Sequence, residues 1–264
     1  MTDAATARSP HLPAQSSPAV LRARNLSKHY GDARVLDGLD LDIDRGQFVA
    51  VMGPSGSGKS TFLHCLSGMT RPSGGSVLLR DTDLTALDER ALAALRLEHF
   101  GLVFQQPHFM STLCLLDNVL LPGFLSRRRP REEVTARGRM LLERMGIADL
   151  ADADVTEVSG GQLQRAGICR ALINEAAVLF ADEPTGALNS ATAARILDVF
   201  GEIHVRGTTI VMVTHDAKVA LRADRVLVLV DGGVEEDLLL GHYREDQSAE
   251  RLVRVSAALN RQSV

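Results

Sequence analysis

The chain has 264 residues, a formal net charge of -4, and 23% charged residues with the two signs interspersed. Its length supports one large domain with a sizeable core, or two small lobes sharing an interface, and the lack of a basic excess argues against a sequence-independent nucleic-acid binder, which must neutralise phosphates. Three cysteines, Cys65, Cys114 and Cys169, stand far apart and odd in number, which excludes a disulfide framework and a CxxC metal clip and fits a reducing compartment.

In chain order, residues 1–18 are rich in Ala, Ser and Pro without an apolar stretch, the composition of a disordered tail rather than a secretory signal. Residues 20–26 alternate as a strand and Tyr30-Gly31 turns. Residues 39–44 alternate strictly between apolar and acidic, the period of a half-buried strand. Arg45-Gly46 turns again before residues 48–52, a continuous apolar run suited to a strand buried on both faces. A glycine-rich loop follows, then Phe62 and Leu66 at helical spacing. Ser73-Gly74-Gly75 breaks the chain ahead of a strand at 76–79. Asp88 is placed to cap a helix carrying Leu92 and Leu95, and residues 100–104 form a short strand. Leu115, Leu116, Val119 and Leu120, then Val134, Leu141, Leu142 and Met145, mark helices, the second closed by Gly146. Strand character returns at 178–181, 208–213 and 226–230, with a helix carrying Ile196, Leu197, Phe200 and Ile203 in between. Leu252, Val253 and Leu259 indicate one amphipathic helix near the end. Strands alternating with helices predict a largely parallel sheet covered on both faces. No apolar run approaches the ~18 residues of a membrane span, so any membrane part is expected on another chain.

Gly53-Pro54-Ser55-Gly56-Ser57-Gly58-Lys59-Ser60-Thr61 fits G-x-x-x-x-G-K-[ST] between a buried strand and a helix, the context that motif needs. The glycines let the backbone curl so that N–H groups point inward, and a helix starting at about Lys59 adds its positive end. Lys59 supplies charge to the β- and γ-phosphates and Ser60 a hydroxyl for Mg²⁺. Chance gives about one such match per hundred chains of this size. Asp182 and Glu183 close a buried strand, where open α/β sheets bind ligands. Neighbouring strand residues point differently, so one carboxylate can hold Mg²⁺ and the other orient a water. Taken alone, a solvated acidic turn before Pro184 explains the pair equally well. His64 and Cys65 fall on different sides of one helix without partners at ligand spacing, which favours packing. The basic residues at 127–131 read as a solvated loop.

With these motifs the chain resembles the nucleotide-binding domains of ABC transporters from Leu21 to Gly233. The most specific element is Val158-Ser159-Gly160-Gly161-Gln162-Leu163-Gln164-Arg165, which matches the family's LSGGQ segment with Val for the leading Leu. Ser159 can cap the helix that follows, leaving the Gly160 and Gly161 N–H groups at a positive helix end. The resemblance implies that this end meets the γ-phosphate held by a second subunit. It further implies that Gln105 contacts Mg²⁺ and water and senses a transmembrane partner, that His215 hydrogen-bonds the γ-phosphate, and that Tyr30 stacks on adenine. The implied fold is α/β: a P-loop NTPase core with a mostly parallel sheet, an antiparallel β subdomain and a helical subdomain at about 107–165. These make one domain over 19–240, followed by a short tail at 241–264 that carries the helix. Gly53–Leu66, Phe104–Gln106, Asp117-Asn118-Val119 and Ala181–Gly186 look most like the LolD/MacB-like group of lipoprotein release, macrolide export and antimicrobial-peptide resistance.

The resemblance therefore implies an ATPase that uses ATP and Mg²⁺, pairs head to tail with a second copy of itself, and energises a separate integral-membrane permease for export or extraction. Such a subunit works in the cytoplasm, on the inner face of the cell membrane, without nucleic acid. One departure stands out: the family usually places Asp where this chain has Asn189, which keeps size and hydrogen bonding but not charge. The alternative is an ABC-type ATPase that moves no solute and regulates cell-wall or division machinery through a permease-like partner. DNA-repair and chromosome-organising relatives of the family carry long coiled coils between these two segments and are set aside, because only about a hundred residues without sustained heptads separate the P-loop from Ser159.

Overall fold

The two kinds of apolar pattern become two sheets. The computed structural model describes residues 19–186 and 188–261, so the expected N-terminal tail lies outside the described residues. The alternating runs fold as the antiparallel hairpin β1 (Ala19–Tyr30) and β2 (Ala33–Asp44), whose last pair, Tyr30↔Ala33, closes over a left-handed Gly31. With β4 (Gly74–Leu79) and β5 (Thr82–Asp83) they make a four-stranded sheet in the order β2-β1-β4-β5. The continuous apolar runs make the second sheet: β3 (Phe48–Met52), β6 (Phe100–Val103), β7 (Val178–Asp182), β8 (Thr209–Val213) and β9 (Arg225–Val230) run parallel, and β10 (Gly233–Leu239) pairs antiparallel with β9. The order is β10-β9-β3-β8-β7-β6.

All five residues of β3 are buried because successive side chains serve two cores. Phe48, Ala50 and Met52 join one core, while Val49 and Val51 join the other. The same division runs through β7 and β8. The first core is shared with α3 (Leu115–Ser126), α4 (Arg131–Arg144), α5 (Gly160–Leu172) and α6 (Ser190–Val205). The second lies toward the antiparallel sheet and holds α1 (Lys59–Leu66) through Phe62, Leu63, Cys65 and Leu66. Burying each large apolar side chain is worth about 1.5–3 kcal/mol. Asp88 caps α2 (Glu89–His99) by accepting the Ala91 N–H at 2.7 Å, and Gly146 sits in the left-handed region just past α4.

Three local readings are corrected. Gly74 and Gly75 do not break the chain but lie inside β4, which approaches β1 so closely that a Cβ on Gly75 would collide with the Arg24 and Asn25 carbonyls. Strand β10, passed over in the sequence, is an edge strand whose apolar residues Val234, Leu238 and Leu239 are nowhere fully buried. In α8 (Ser248–Asn260) the inward face runs through Arg251, Val255 and Ala258, spaced four and three apart, while Val253 is exposed. The basic residues at 127–131 are partly tied down: Arg129 pairs with Glu175, and the Arg131 guanidinium lies 4.2 Å from the Phe124 ring centre. No helix among the described residues is long and apolar enough to cross a membrane.

Candidate functional site

Because β3, β8, β7 and β6 are parallel neighbours, their C-terminal ends deliver Gly53, His215, Asp182 with Glu183, and Gln105 to one edge of the sheet. The loop after β3 then curls into α1. Gly53, Gly56 and Gly58 all have positive φ, and a Cβ on Gly53 would run into the Leu229 carbonyl, so only glycine fits this path. The first ladder bond of α1 runs from the Phe62 N–H to the Gly58 carbonyl at 2.8 Å. The Lys59, Ser60 and Thr61 N–H groups therefore precede the ladder and present the helix's positive end to the loop. Lys59 Nζ donates to the Gly53 and Pro54 carbonyls at 2.9 and 2.6 Å. Burial pulls its ammonium below the ordinary lysine range, while the charges of Glu183 and Asp182 push it back up. The Ser57 hydroxyl is buried without a hydrogen-bond partner, a donor left over for an anion in the loop.

The two carboxylates separate because the chain turns after Asp182, the last residue of β7. Asp182 Oδ1 accepts the Ser60 hydroxyl at 3.3 Å. Glu183 leaves β7 in the left-handed region, anchored by its N–H to the Val213 carbonyl at 3.0 Å, and its Oε1 meets His215 Nδ1 at 2.8 Å. His215 itself is 72% exposed, free to reach a ligand above the edge. Gln105 Nε2 lies against Gly186, three residues past Glu183, close enough that a Cβ there would stand 3.4 Å away. The β1–β2 hairpin end carrying Tyr30 flanks the loop, since Val35 packs against Gly58. Tyr30 is half exposed, with Lys28 Nζ 4.9 Å from its ring centre.

Ser159 and Gly160 stand apart from this group. Ser159 occupies the N-cap position of α5, and Gln162 Oε1 accepts both its N–H at 2.9 Å and its hydroxyl at 2.7 Å. Gly160 is exposed and meets nothing where a Cβ would be. A cleft of about 320 Å³ separates this helix tip from the edge, lined by Gln105, Pro107, Gly160, Leu163, Pro184 and Leu188 among others, and no residue of the 53–61 loop reaches it. One chain thus brings Lys59, Ser60, Asp182, Glu183, Gln105 and His215 together, while its Ser159-Gly160-Gly161 tip borders a cleft that the 53–61 loop does not line.

The ABC transporter family model matches residues 36–186, more than half of the chain. The chain belongs to the ABC transporter family. Among curated relatives it is 43% identical over 232 residues to the macrolide export ATP-binding/permease protein MacB 1/2 of Paracoccus denitrificans, covering 86% of this chain and 35% of that protein. It is 46% identical over 223 residues to MacB of Rhodopseudomonas palustris, covering 84% of this chain and 34% of that one. The chain thus spans about a third of the length of these relatives. Among solved structures it resembles the ATP-binding cassette MJ0796, seen as a dimer in a post-hydrolysis state with ADP and Pi: TM-score 0.80, 35% identity, 84% of this chain and all of that one. The structure of cbiO1 from Clostridium perfringens, part of the ABC transporter complex cbiONQ, is similar at TM-score 0.76 and 29% identity, over 93% of this chain and 97% of that one. The expected α/β cassette fold is the fold observed.

Several residues of this ABC cassette make contacts that their motifs do not announce. His64, read as a packing residue, places Nε2 4.0 Å from Asp182 Oδ2. Its spacing of four from Ser60 on α1 was the available signal. Gln164 is buried and its Nε2 donates to the Phe104 carbonyl at 3.0 Å, tying α5 to the Gln105 loop. Asn118, also buried, accepts the Met110 N–H at 2.7 Å and donates to three carbonyls of the 110–114 loop. Asn189 caps α6 by accepting the Thr192 N–H at 2.9 Å. Burial pushes the Cys65 thiol up to about 11 and the Cys169 thiol up to about 12, so neither serves as a nucleophile at neutral pH.

Proposed function

We propose that this ABC cassette binds and hydrolyses ATP as the motor subunit of a transporter, paired with a second copy and docked on a membrane permease. The carrying observation is the meeting of two contacts at one sheet edge: Ser60 with Asp182 at 3.3 Å and Glu183 with His215 at 2.8 Å, beside the 53–61 loop. In this reading the loop N–H groups and Lys59 hold the phosphates. Ser60 and Asp182 are hard oxygen donors that would hold Mg²⁺, and the ion would supply positive charge beside the phosphates. Glu183 orients the attacking water, Gln105 closes the approach from the side of Gly186, and His215 turns from Glu183 to the γ-phosphate. Tyr30 stacks on the adenine.

The second copy enters because Ser159, Gly160, Gly161 and Gln162 have no phosphate of their own to serve. Facing the loop of a partner, their helix tip completes its γ-phosphate contacts, so ATP joins the copies and hydrolysis releases them. The dimeric state described for MJ0796 supports this arrangement. The kinship with macrolide export proteins supports export or extraction as the task, at the inner face of the cell membrane. The test is turnover by Glu183→Gln. ATP hydrolysis falls by about a hundredfold or more, on the scale of losing one catalytic group, while binding of a fluorescent ATP analogue is retained. Hydrolysis within a few-fold of the parent chain overturns the assignment.

A further inference from the structure

At the edge of the parallel sheet opposite Lys59, three ligand-type side chains from separate elements converge. His204 comes from the last turn of α6, Asp224 directly precedes β9, and His242 follows β10. His204 Nε2 lies 2.8 Å from Asp224 Oδ2, and His242 Nδ1 lies 3.1 Å from Asp224 Oδ1. One ligand atom from each residue falls within 4.8 Å of the other two.

The carboxylate is built in place. Asp224 is 8% exposed, and its Oδ2 accepts the Phe48 N–H at 2.9 Å. Its backbone carbonyl accepts the Leu240 and Gly241 N–H groups at 2.7 and 3.0 Å, which returns His242 to the carboxylate. Asp224 Oδ1 is nonetheless buried without a hydrogen bond. The His242 ring therefore stands at ligand distance from Oδ1 without being aligned as a donor. His204 is held edge-on against Phe48, with ring centres 5.8 Å apart. Leaving a buried carboxylate oxygen without a hydrogen bond is costly, and a cation between the rings would remove that cost.

We propose that His204, Asp224 and His242 bind a divalent transition-metal ion of the zinc class. Two imidazoles and one carboxylate are a nitrogen-rich, borderline-soft set that favours such ions over Mg²⁺ or Ca²⁺. Tetrahedral bonds of about 2.0–2.1 Å set ligand atoms about 3.3 Å apart; each imidazole nitrogen already lies 2.8 or 3.1 Å from one Asp224 oxygen, and the set, now within 4.8 Å, closes by rotation of the exposed His242 ring. The His242 side chain is 85% exposed, which gives the ion an entry path and leaves a position for water. The nearest buried cation, Arg251, is engaged by the carbonyls of Leu221, Ala223, Leu240, Gly241 and His242. The ion clamps the end of α6, the start of β9 and the link from β10 to α8. This site lies away from the nucleotide edge and does not depend on the ATPase reading.

The experiment uses the full chain, stripped with EDTA and desalted, then titrated with ZnCl₂ by calorimetry with melting followed in parallel. The parent chain, the exposed-site variant His242→Ala and the remote control His29→Ala are compared. The parent and His29→Ala bind one ion that His242→Ala binds at least tenfold more weakly. At a hundredfold excess over Kd that ion raises Tm by about 5–10 °C, a gain lost in His242→Ala. Zinc bound at the nucleotide edge is common to all three and cancels. Equal binding and equal Tm gain in the parent and His242→Ala, or no binding to the parent, overturns the proposal.

Discussion

Lys59 shows how a single residue carries two opposed demands. It must stay charged to hold phosphates, yet burial works against its charge, and only Glu183 and Asp182 push back. Replacing it with Ala removes charge-assisted contacts worth about 1.5–3 kcal/mol. ATP affinity is expected to fall by about tenfold or more in a fluorescence titration, and unchanged affinity contradicts the phosphate role. Asn189 shows how a departure from the family pattern is absorbed. Its side-chain oxygen does the capping, and an Asp oxygen does that equally well. Asn189→Asp should leave stability within about 0.5 kcal/mol, whereas Asn189→Ala should cost about 1 kcal/mol in urea unfolding. Equal stability of all three chains would show that the cap does not matter.

At the scale of elements, legibility tracked burial. The continuous run at 48–52 and the alternation at 39–44 announced β3 and β2, because one strand faces two cores and the other faces one. The P-loop, the Asp182-Glu183 pair and His215 were legible because each follows directly from the end of a buried strand. What stayed hidden depends on partners distant in sequence. Strand β10 is an edge whose Val234, Leu238 and Leu239 do not alternate regularly with its polar residues, and Gln164 and Asn118 are buried polar residues whose carbonyl partners no local pattern announces. Arg251 is the strongest case: an arginine inside an amphipathic helix, turned inward because carbonyls at the ends of neighbouring elements need donors. Arg251→Ala should lower unfolding free energy by about 3 kcal/mol, since buried carbonyls lose a charged donor. A loss below about 1 kcal/mol would mean that α8 docks through Val255 and Ala258 alone.

At the scale of the whole molecule, the parallel sheet sorts function by edge. Its C-terminal edge gathers the phosphate loop, the two carboxylates, Gln105 and His215, while its other edge holds the His204, Asp224 and His242 cluster. Helix α5 carries the Ser159 tip beside a cleft that its own loop does not line, with Gln164 linking that helix to the Gln105 segment. A molecule so arranged is incomplete alone, and pairing with a copy of itself is the account's central claim. Light scattering coupled to size-exclusion chromatography on Glu183→Gln with Mg²⁺ and ATP tests it directly. The account predicts twice the 28.5 kDa chain mass with ATP, and the single mass without ATP or when Ser159→Arg is added. A single mass for Glu183→Gln with ATP bound, or a dimer that Ser159→Arg leaves intact, would contradict it.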